Sequence, residues 1–134
     1  MLDSLTKSLD FQTQALVLRA ERQRVIAGNI ANADTPGYTA RSLDFSAALR
    51  EATSAGTGAA PGGMSDPRHI PLNAPDGAGT TLGYAAQTQP SLDGNSVDLD
   101  RERAAFVDNA VRYEAALRFI NGQSKTLLSA IQGQ

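Results

Sequence analysis

No cysteine occurs among the 134 residues, which excludes disulfides, thiolate metal sites and cysteine nucleophiles and leaves the redox compartment open. Tryptophan is missing too and aromatics reach only 5%, so a single core spanning the whole chain would be hard to fill. Neither sign of charge dominates. Twelve basic against 14 acidic residues leave a net charge of −2, with no general attraction to nucleic acid or to an anionic membrane. No apolar run has the length that crosses a bilayer, so no direct membrane insertion is expected. Met1-Leu2-Asp3-Ser4-Leu5 lacks a basic stretch followed by an unbroken apolar one, and no cleaved signal peptide is expected. The single histidine, His69, stands in Asp66-Pro67-Arg68-His69-Ile70-Pro71 with no second ligand and no organised acid or base beside it. No catalytic, cofactor-binding or metal-binding residue is assigned, and the chain reads as non-enzymatic.

What the sequence does contain is two long amphipathic stripes. Residues from about Asp3 to Asn32 read as one helix, with Asp3 or Ser4 as N-cap and Leu2 as a hydrophobic staple before it. Leu2, Leu9, Leu16 and Ile30 share one heptad position, Leu5 and Ile26 the companion one, and Gln12, Arg19 and Gln23 interrupt the seam. A second apolar line runs through Phe11, Leu18 and Val25. The other stripe, from about Asp98 to Ile131, is cleaner: Phe106, Ala110, Tyr113, Leu117, Ile120, Leu127 and Ile131 step by three and four, broken at Ser124. Val107 and Val111 add a second line there. Asp98, Asp100 and Glu102 crowd the first turn, where the helix dipole favours negative charge, Glu114 and Arg118 form an i,i+4 pair, and Gly133 closes the helix. Helices of matched length predict an antiparallel pair, and second apolar lines on both predict neighbours beyond one chain.

Between the stripes the composition changes. Asp44 suits the N-cap of a short helix from Phe45 to about Ala52, with Phe45 and Leu49 as its apolar face, too short to stand without docking. From about Thr53 to Asn95 glycine, proline and small residues dominate, and this segment is expected to be largely disordered, with Ile70, Leu72, Leu82 and Tyr84 as sparse anchors that order on assembly. No convincing strand is read anywhere. The fold class is therefore all-α: long N- and C-terminal helices paired antiparallel as a coiled-coil-like hairpin, with a short helix and a Gly/Pro-rich middle. The divisions are residues 1–52, 53–95 and 96–134, the first and last forming one assembly domain.

Three local features each admit a functional and a structural reading. Arg19, Arg22 and Arg24 around Glu21 form either a basic patch for an acidic partner or a solvated face with local ion pairs. Gly28 allows either close approach of another backbone or a weakened last turn. Ser91–Glu102 has a faint calcium-loop pattern, but it lacks the first Asp and the sixth-position Gly, and a turn leading into a helix start accounts better for its acids.

The most sharply punctuated stretch is Asn29-Ile30-Ala31-Asn32-Ala33-Asp34-Thr35-Pro36-Gly37-Tyr38. Asn32 and Asp34 compete with the helix for backbone hydrogen bonds, Pro36 drives Thr35 out of helical space, and Pro36-Gly37 suits the centre of a type II turn. It is either a shaped corner used in packing or an ordinary helix stop.

This stretch resembles the N-terminal signature of the bacterial flagellar rod and hook axial proteins, in which two asparagines flank an aliphatic-Ala pair and a Thr, a Gly and an aromatic follow; every position fits. Ala110-Val111-Arg112-Tyr113-Glu114-Ala115 resembles the same family's C-terminal helix motif. The short length and Gln89-Pro90-Ser91-Leu92-Asp93-Gly94-Asn95-Ser96-Val97-Asp98 are similar to the proximal rod members rather than to the larger hook and distal rod proteins. The resemblance implies a structural subunit of the basal body, exported unprocessed by the flagellar type III apparatus and polymerising in the periplasmic rod as a helical tube. It implies as partners other rod proteins, basal adaptor or MS-ring components, the export apparatus and copies of itself. An assembly turn motif (Asn29, Ile30, Ala31, Asn32, Thr35, Pro36, Gly37, Tyr38) and a helix-packing set (Leu9, Leu16, Ile26, Ile30, Phe106, Ala110, Tyr113, Leu117, Ile120, Leu127, Ile131) follow as site residues. The rival is a small cytoplasmic helical adaptor or chaperone that binds a partner helix.

Overall fold

The computed structural model describes residues 2–55, 82–85 and 91–133. Three helices, α1 (Leu2–Ala31), α2 (Phe45–Ala55) and α3 (Leu99–Gln132), account for most of them. Two short strands, β1 (Arg41–Leu43) and β2 (Leu82–Tyr84), complete the architecture. His69, Ile70 and Leu72, and most of the Gly/Pro-rich segment expected to be disordered, lie outside the described residues.

α1 and α3 run antiparallel along one another. Their direction is fixed by cross-helix hydrogen bonds at two levels: Asn109 Nδ2 donates to Arg19 O at 2.9 Å near one end, and Gln123 Nε2 donates to Ser8 Oγ at 3.4 Å near the other. The expectation of Asp3 or Ser4 as N-cap is not met. Leu2 is already helical, so Asp3 falls in the first turn, where its charge still complements the dipole. α3 begins as its sequence suggests: Asp98 has extended backbone (φ −94°, ψ 101°) and its carboxylate accepts from Arg101 N. Gly133, left-handed at φ 71°, ends it.

α2 docks on α1. Asp44 Oδ1 accepts from the backbone N–H groups of Ser46 and Ala47 at 3.0 and 3.1 Å, a full N-cap. The Ser46 hydroxyl, which also donates to Oδ1, and then these backbone bonds hold the Asp44 carboxyl below its usual range. The helix then lays Ala48 against Leu18 and Leu43, with Phe45, Leu49 and Ala52 around them. The Arg19 guanidinium lies over the Phe45 ring, 4.4 Å from its centroid. Leu18, from the second apolar line of α1, is thus covered by the chain's own short helix rather than left for a neighbour, because an 11-residue helix needs an apolar surface to dock on. Val107 and Val111, the second line of α3, stay 62% and 63% exposed.

The strands are the one element type that sequence reading did not find. β1 and β2 pair antiparallel, Arg41 opposite Tyr84 and Leu43 opposite Leu82, and Ala85 N adds a bond to Ala40 O at 2.9 Å. Three-residue strands whose partners lie some forty positions away carry no periodic signal of their own. Leu82 and Tyr84, read as anchors awaiting assembly, are placed here by β1 within one chain.

Candidate functional site

The chain's most elaborate polar geometry lies where α1 ends and α3 begins. α1 stops where Asn32 turns its side chain back, Nδ2 donating to Gly28 O at 2.8 Å, and the backbone tightens to i→i−3 bonds, Asn32 N–H to Asn29 O and Ala33 N–H to Ile30 O, both at 3.2 Å. Thr35-Pro36-Gly37-Tyr38 then turns, with Gly37 at φ 72° and Tyr38 N–H donating to Thr35 O at 3.3 Å. A positive φ at the third position behind a proline is what a type II turn requires.

Asn29, only 1% exposed, is aimed at β1. Its Nδ2 donates to Arg41 O at 2.7 Å, and its Oδ1 accepts from Arg41 N at 3.0 Å and from the Tyr38 hydroxyl at 3.3 Å. The amide therefore meets both main-chain groups of one β1 residue, as a neighbouring strand would.

A second asparagine completes the junction from the other side. Asn95, 5% exposed, aims its Nδ2 at three carbonyls of the turn: Asn32 O at 2.9 Å, Ala33 O at 2.8 Å and Thr35 O at 2.7 Å. Its Oδ1 accepts from Val97 N at 2.8 Å, and its carbonyl accepts from the Ser91 hydroxyl. Gly37 N donates to Asp93 O at 2.9 Å, Ser96 N to Tyr38 O at 3.0 Å, and Ala40 N to Ser96 Oγ at 2.7 Å. Gly94 is also left-handed, at φ 75°, and a Cβ there would stand in ordinary contact, 3.6 Å from Gly37 Cα. Asp93 holds the 91–95 turn by accepting from Asn95 N, and that bond with the Ser91 hydroxyl lowers its pKa.

These bonds join two segments some sixty residues apart into one corner. Its amides, hydroxyls, the Asp93 carboxylate and main-chain atoms are spent on each other, which is a geometry for holding the chain. Among the described residues no three His, Cys, Asp or Glu side chains are grouped as ion ligands, and no helix is long and apolar enough to cross a membrane.

The comparisons bear on the same corner. The family model described as "Flagella basal body rod protein" matches residues 9–39, which takes in all of Asn29–Tyr38. The chain is 45% identical over 136 residues to the flagellar basal body rod protein FlgB of Salmonella typhimurium (strain LT2), covering 99% of each. It belongs to the FlgB family of flagellar basal body rod proteins. FlgB of Escherichia coli K12 is 46% identical over 135 residues and that of Cereibacter sphaeroides 39% over 126, covering 98% and 94% of each chain. As a FlgB-family protein it is a structural component of the rod, and it resides in the flagellar basal body.

Within this FlgB-family chain the helix-packing set is spread over a range of burial. Ile26 is buried, whereas Leu9, Leu16, Ile30, Ala110, Tyr113, Leu117, Ile120 and Leu127 are half-buried along the α1–α3 seam. Phe106, at 37%, and Ile131, at 77%, stand exposed, because the seam turns away from Phe106 toward Asn109 and opens near the end of α3. In the turn motif Asn29 is buried and Ile30, Asn32 and Tyr38 are half-buried, while Ala31, Thr35, Pro36 and Gly37 face solvent. An added Cβ at Gly28 would meet nothing within 4 Å among the described residues, so no close backbone approach among them requires it. Glu21 takes Arg24 as its partner at 3.8 Å, an exposed ion pair, and Glu114 meets Arg118 at 2.6 Å. Sequence reasoning missed Asn95 and Asn109 as structural centres. Asn95 follows a Gly in a loop, the usual place for a solvated turn residue, and Asn109 looked like a polar step beside an apolar stripe.

Proposed function

We propose that the chain is a non-enzymatic subunit of the proximal rod that polymerises with copies of itself and with other rod proteins into a helical tube. The observation that carries the assembly reading is the exposed Val107–Val111 line, left over after α3 has given its seam to α1. Covering the exposed part of each valine contributes about 1 kcal/mol per side chain. A contact between that line and a different surface of the next subunit is heterologous, and where its rotation does not close into a ring it propagates as a helix.

In this reading residues 1–52 and 96–134 form the assembly domain and 53–95 the connecting segment, whose Leu82–Tyr84 and Ser91–Asn95 parts fold back onto that domain. The Asn29–Tyr38 corner fixes how the chain leaves the helix pair, and the helix-packing residues divide between the internal seam and neighbour contacts. The chain leaves the cytoplasm unprocessed through the flagellar export apparatus and assembles in the periplasm, beside basal adaptor or MS-ring components. The scarcity of aromatics and the Gly/Pro-rich composition of 53–95 suit passage as an extended chain.

The test is Val111→Glu expressed in place of the native protein in a flagellated host. It is expected to abolish swimming and to be absent from purified basal bodies, while the isolated chain keeps its helix content. Normal swimming with normal incorporation would sink the proposal. Recovery of the unsubstituted protein solely in a soluble cytoplasmic complex of fixed stoichiometry would favour the adaptor instead.

A further inference from the structure

Asn109 is 1% exposed between α1 and α3, at the end of the seam nearer the corner. Its Nδ2 donates to Arg19 O at 2.9 Å and to Gln23 Oε1 at 2.7 Å, and Gln23 Nε2 reaches Phe106 O at 3.4 Å. Its Oδ1 is buried without a partner among the described residues. Leucines at both 23 and 109 would remove the polar pair and leave no side-chain amide unmet, so the asparagine is an expensive choice for stability alone. The cost becomes intelligible if the layer serves to select one alignment of the helices.

We propose that the Gln23–Asn109 layer is a register lock, which permits one longitudinal alignment of α1 and α3 and penalises the alignments one heptad away. Both helices carry leucine and isoleucine at heptad spacing, so a slide of seven residues still brings apolar side chains together. A slide toward Ile30 carries Asn109 away from Gln23 and between Ile26 and Ile30, where its amide finds no side-chain acceptor. A slide toward Leu16 leaves it Gln12 in the place of Arg19 and an apolar side chain in the place of Gln23. The apolar pattern therefore tolerates several alignments, whereas the amide layer favours one, the same one that the Asn95 corner holds where α3 begins. The Ser8–Gln123 contact, at the far end of the pair, reports which alignment is present. Asn109 is a positioning residue, and the inference stands on the helix pair whether or not the chain polymerises as proposed.

The chain has no cysteine, so engineered thiols are unambiguous reporters. In the full-length protein, Ser8→Cys is combined in turn with Gln123→Cys, Ala116→Cys and Ala130→Cys, and cross-linked with a short thiosulfonate reagent. The 8–123 pair reads the native alignment, and 8–116 and 8–130 read slides of one heptad in either direction. The native background is expected to favour 8–123 by about tenfold or more, and Gln23→Leu with Asn109→Leu to reduce that preference severalfold while helix content and thermal midpoint are kept or raised. Moving the amide one heptad, Asn109→Leu with Ala116→Asn, is expected to shift cross-linking toward 8–130, which brings position 116 opposite Gln23. An unchanged 8–123 preference in either variant overturns the proposal. So does equal cross-linking of all three pairs in the native background. Loss of helix content in the double-leucine variant overturns it as well, because the layer would then supply stability rather than selection.

Discussion

Replacing Asn95 separates a corner held by donated hydrogen bonds from one held by shape. Its two amide protons serve three carbonyls at 2.7 to 2.9 Å and its oxygen serves Val97 N, so about three bonds' worth of interaction are lost in Asn95→Ala. At about 1 kcal/mol each, that is roughly 3 kcal/mol, or a fall in melting temperature on the order of 10–20 °C for a domain of this size. Asn95→Asp keeps the volume but turns a carboxylate oxygen toward the carbonyls. The introduced acid avoids this by taking a proton, which at pH 7 costs roughly 4 kcal/mol from an ordinary carboxyl pKa, and it then still donates one bond. Its total loss at pH 7 is thus roughly 5 kcal/mol, about 2 more than for alanine, and it shrinks by about 1.4 kcal/mol for each unit the pH falls. The sign follows from a folded-state pKa raised above the unfolded one: the variant gains stability as the medium becomes more acidic. Urea unfolding followed by far-UV circular dichroism at pH 7 and pH 5 should show the order of the two variants reversing. An aspartate variant no worse than alanine at pH 7, or an order unchanged at pH 5, would refute the donor account.

Three further outcomes are expected. Leu18→Ala, at a 2% exposed position that anchors α2, should destabilise the chain by about 2–5 kcal/mol in the same urea assay and release α2 before the α1–α3 pair, read as early protease cleavage near Phe45. Gly37→Val, at φ 72° with open space around its Cβ, should cost about 1–2 kcal/mol through backbone strain alone, and should impair rod incorporation more than isolated-helix content; equal loss of both would argue against a role for the corner in assembly. The lowered pKa values of Asp44 and Asp93 contribute stability that is present above the usual carboxylate range and lost as pH falls through their folded values. An acid titration should accordingly show α2 and the 91–95 turn loosening only below that range, and Asp44→Asn should flatten the response at α2.

The parts of the fold that sequence displayed are those whose causes are local. Heptad spacing announced α1 and α3, Asp44 announced the start of α2, and Pro36-Gly37 announced the turn that Gly37 makes. What stayed hidden depends on partners far along the chain. β1 exists because Leu82–Tyr84 and the Asn29 amide reach it, and neither dependence leaves a mark within Arg41-Ser42-Leu43. Leu18 and Phe11 lie on one line seven residues apart, yet α2 covers Leu18 and Phe11 stays 44% exposed, a distinction that no periodicity contains. Asn95 shows the same limit in the candidate site. A buried asparagine after a glycine reads like any turn asparagine until the carbonyls it faces are known.

Because Asn95 ties the exit of α1 to the entrance of α3 directly, and the Gln23–Asn109 layer sets their register, the length of chain between Ala55 and Leu82 is released from any duty to align the helices. Closing a longer excursion costs little, since doubling its length adds only about 0.6 kcal/mol of chain entropy. The corner thus works like a buckle on a strap of adjustable length: whole modules could be spliced in beyond it, and the paired helices beneath would keep their fit.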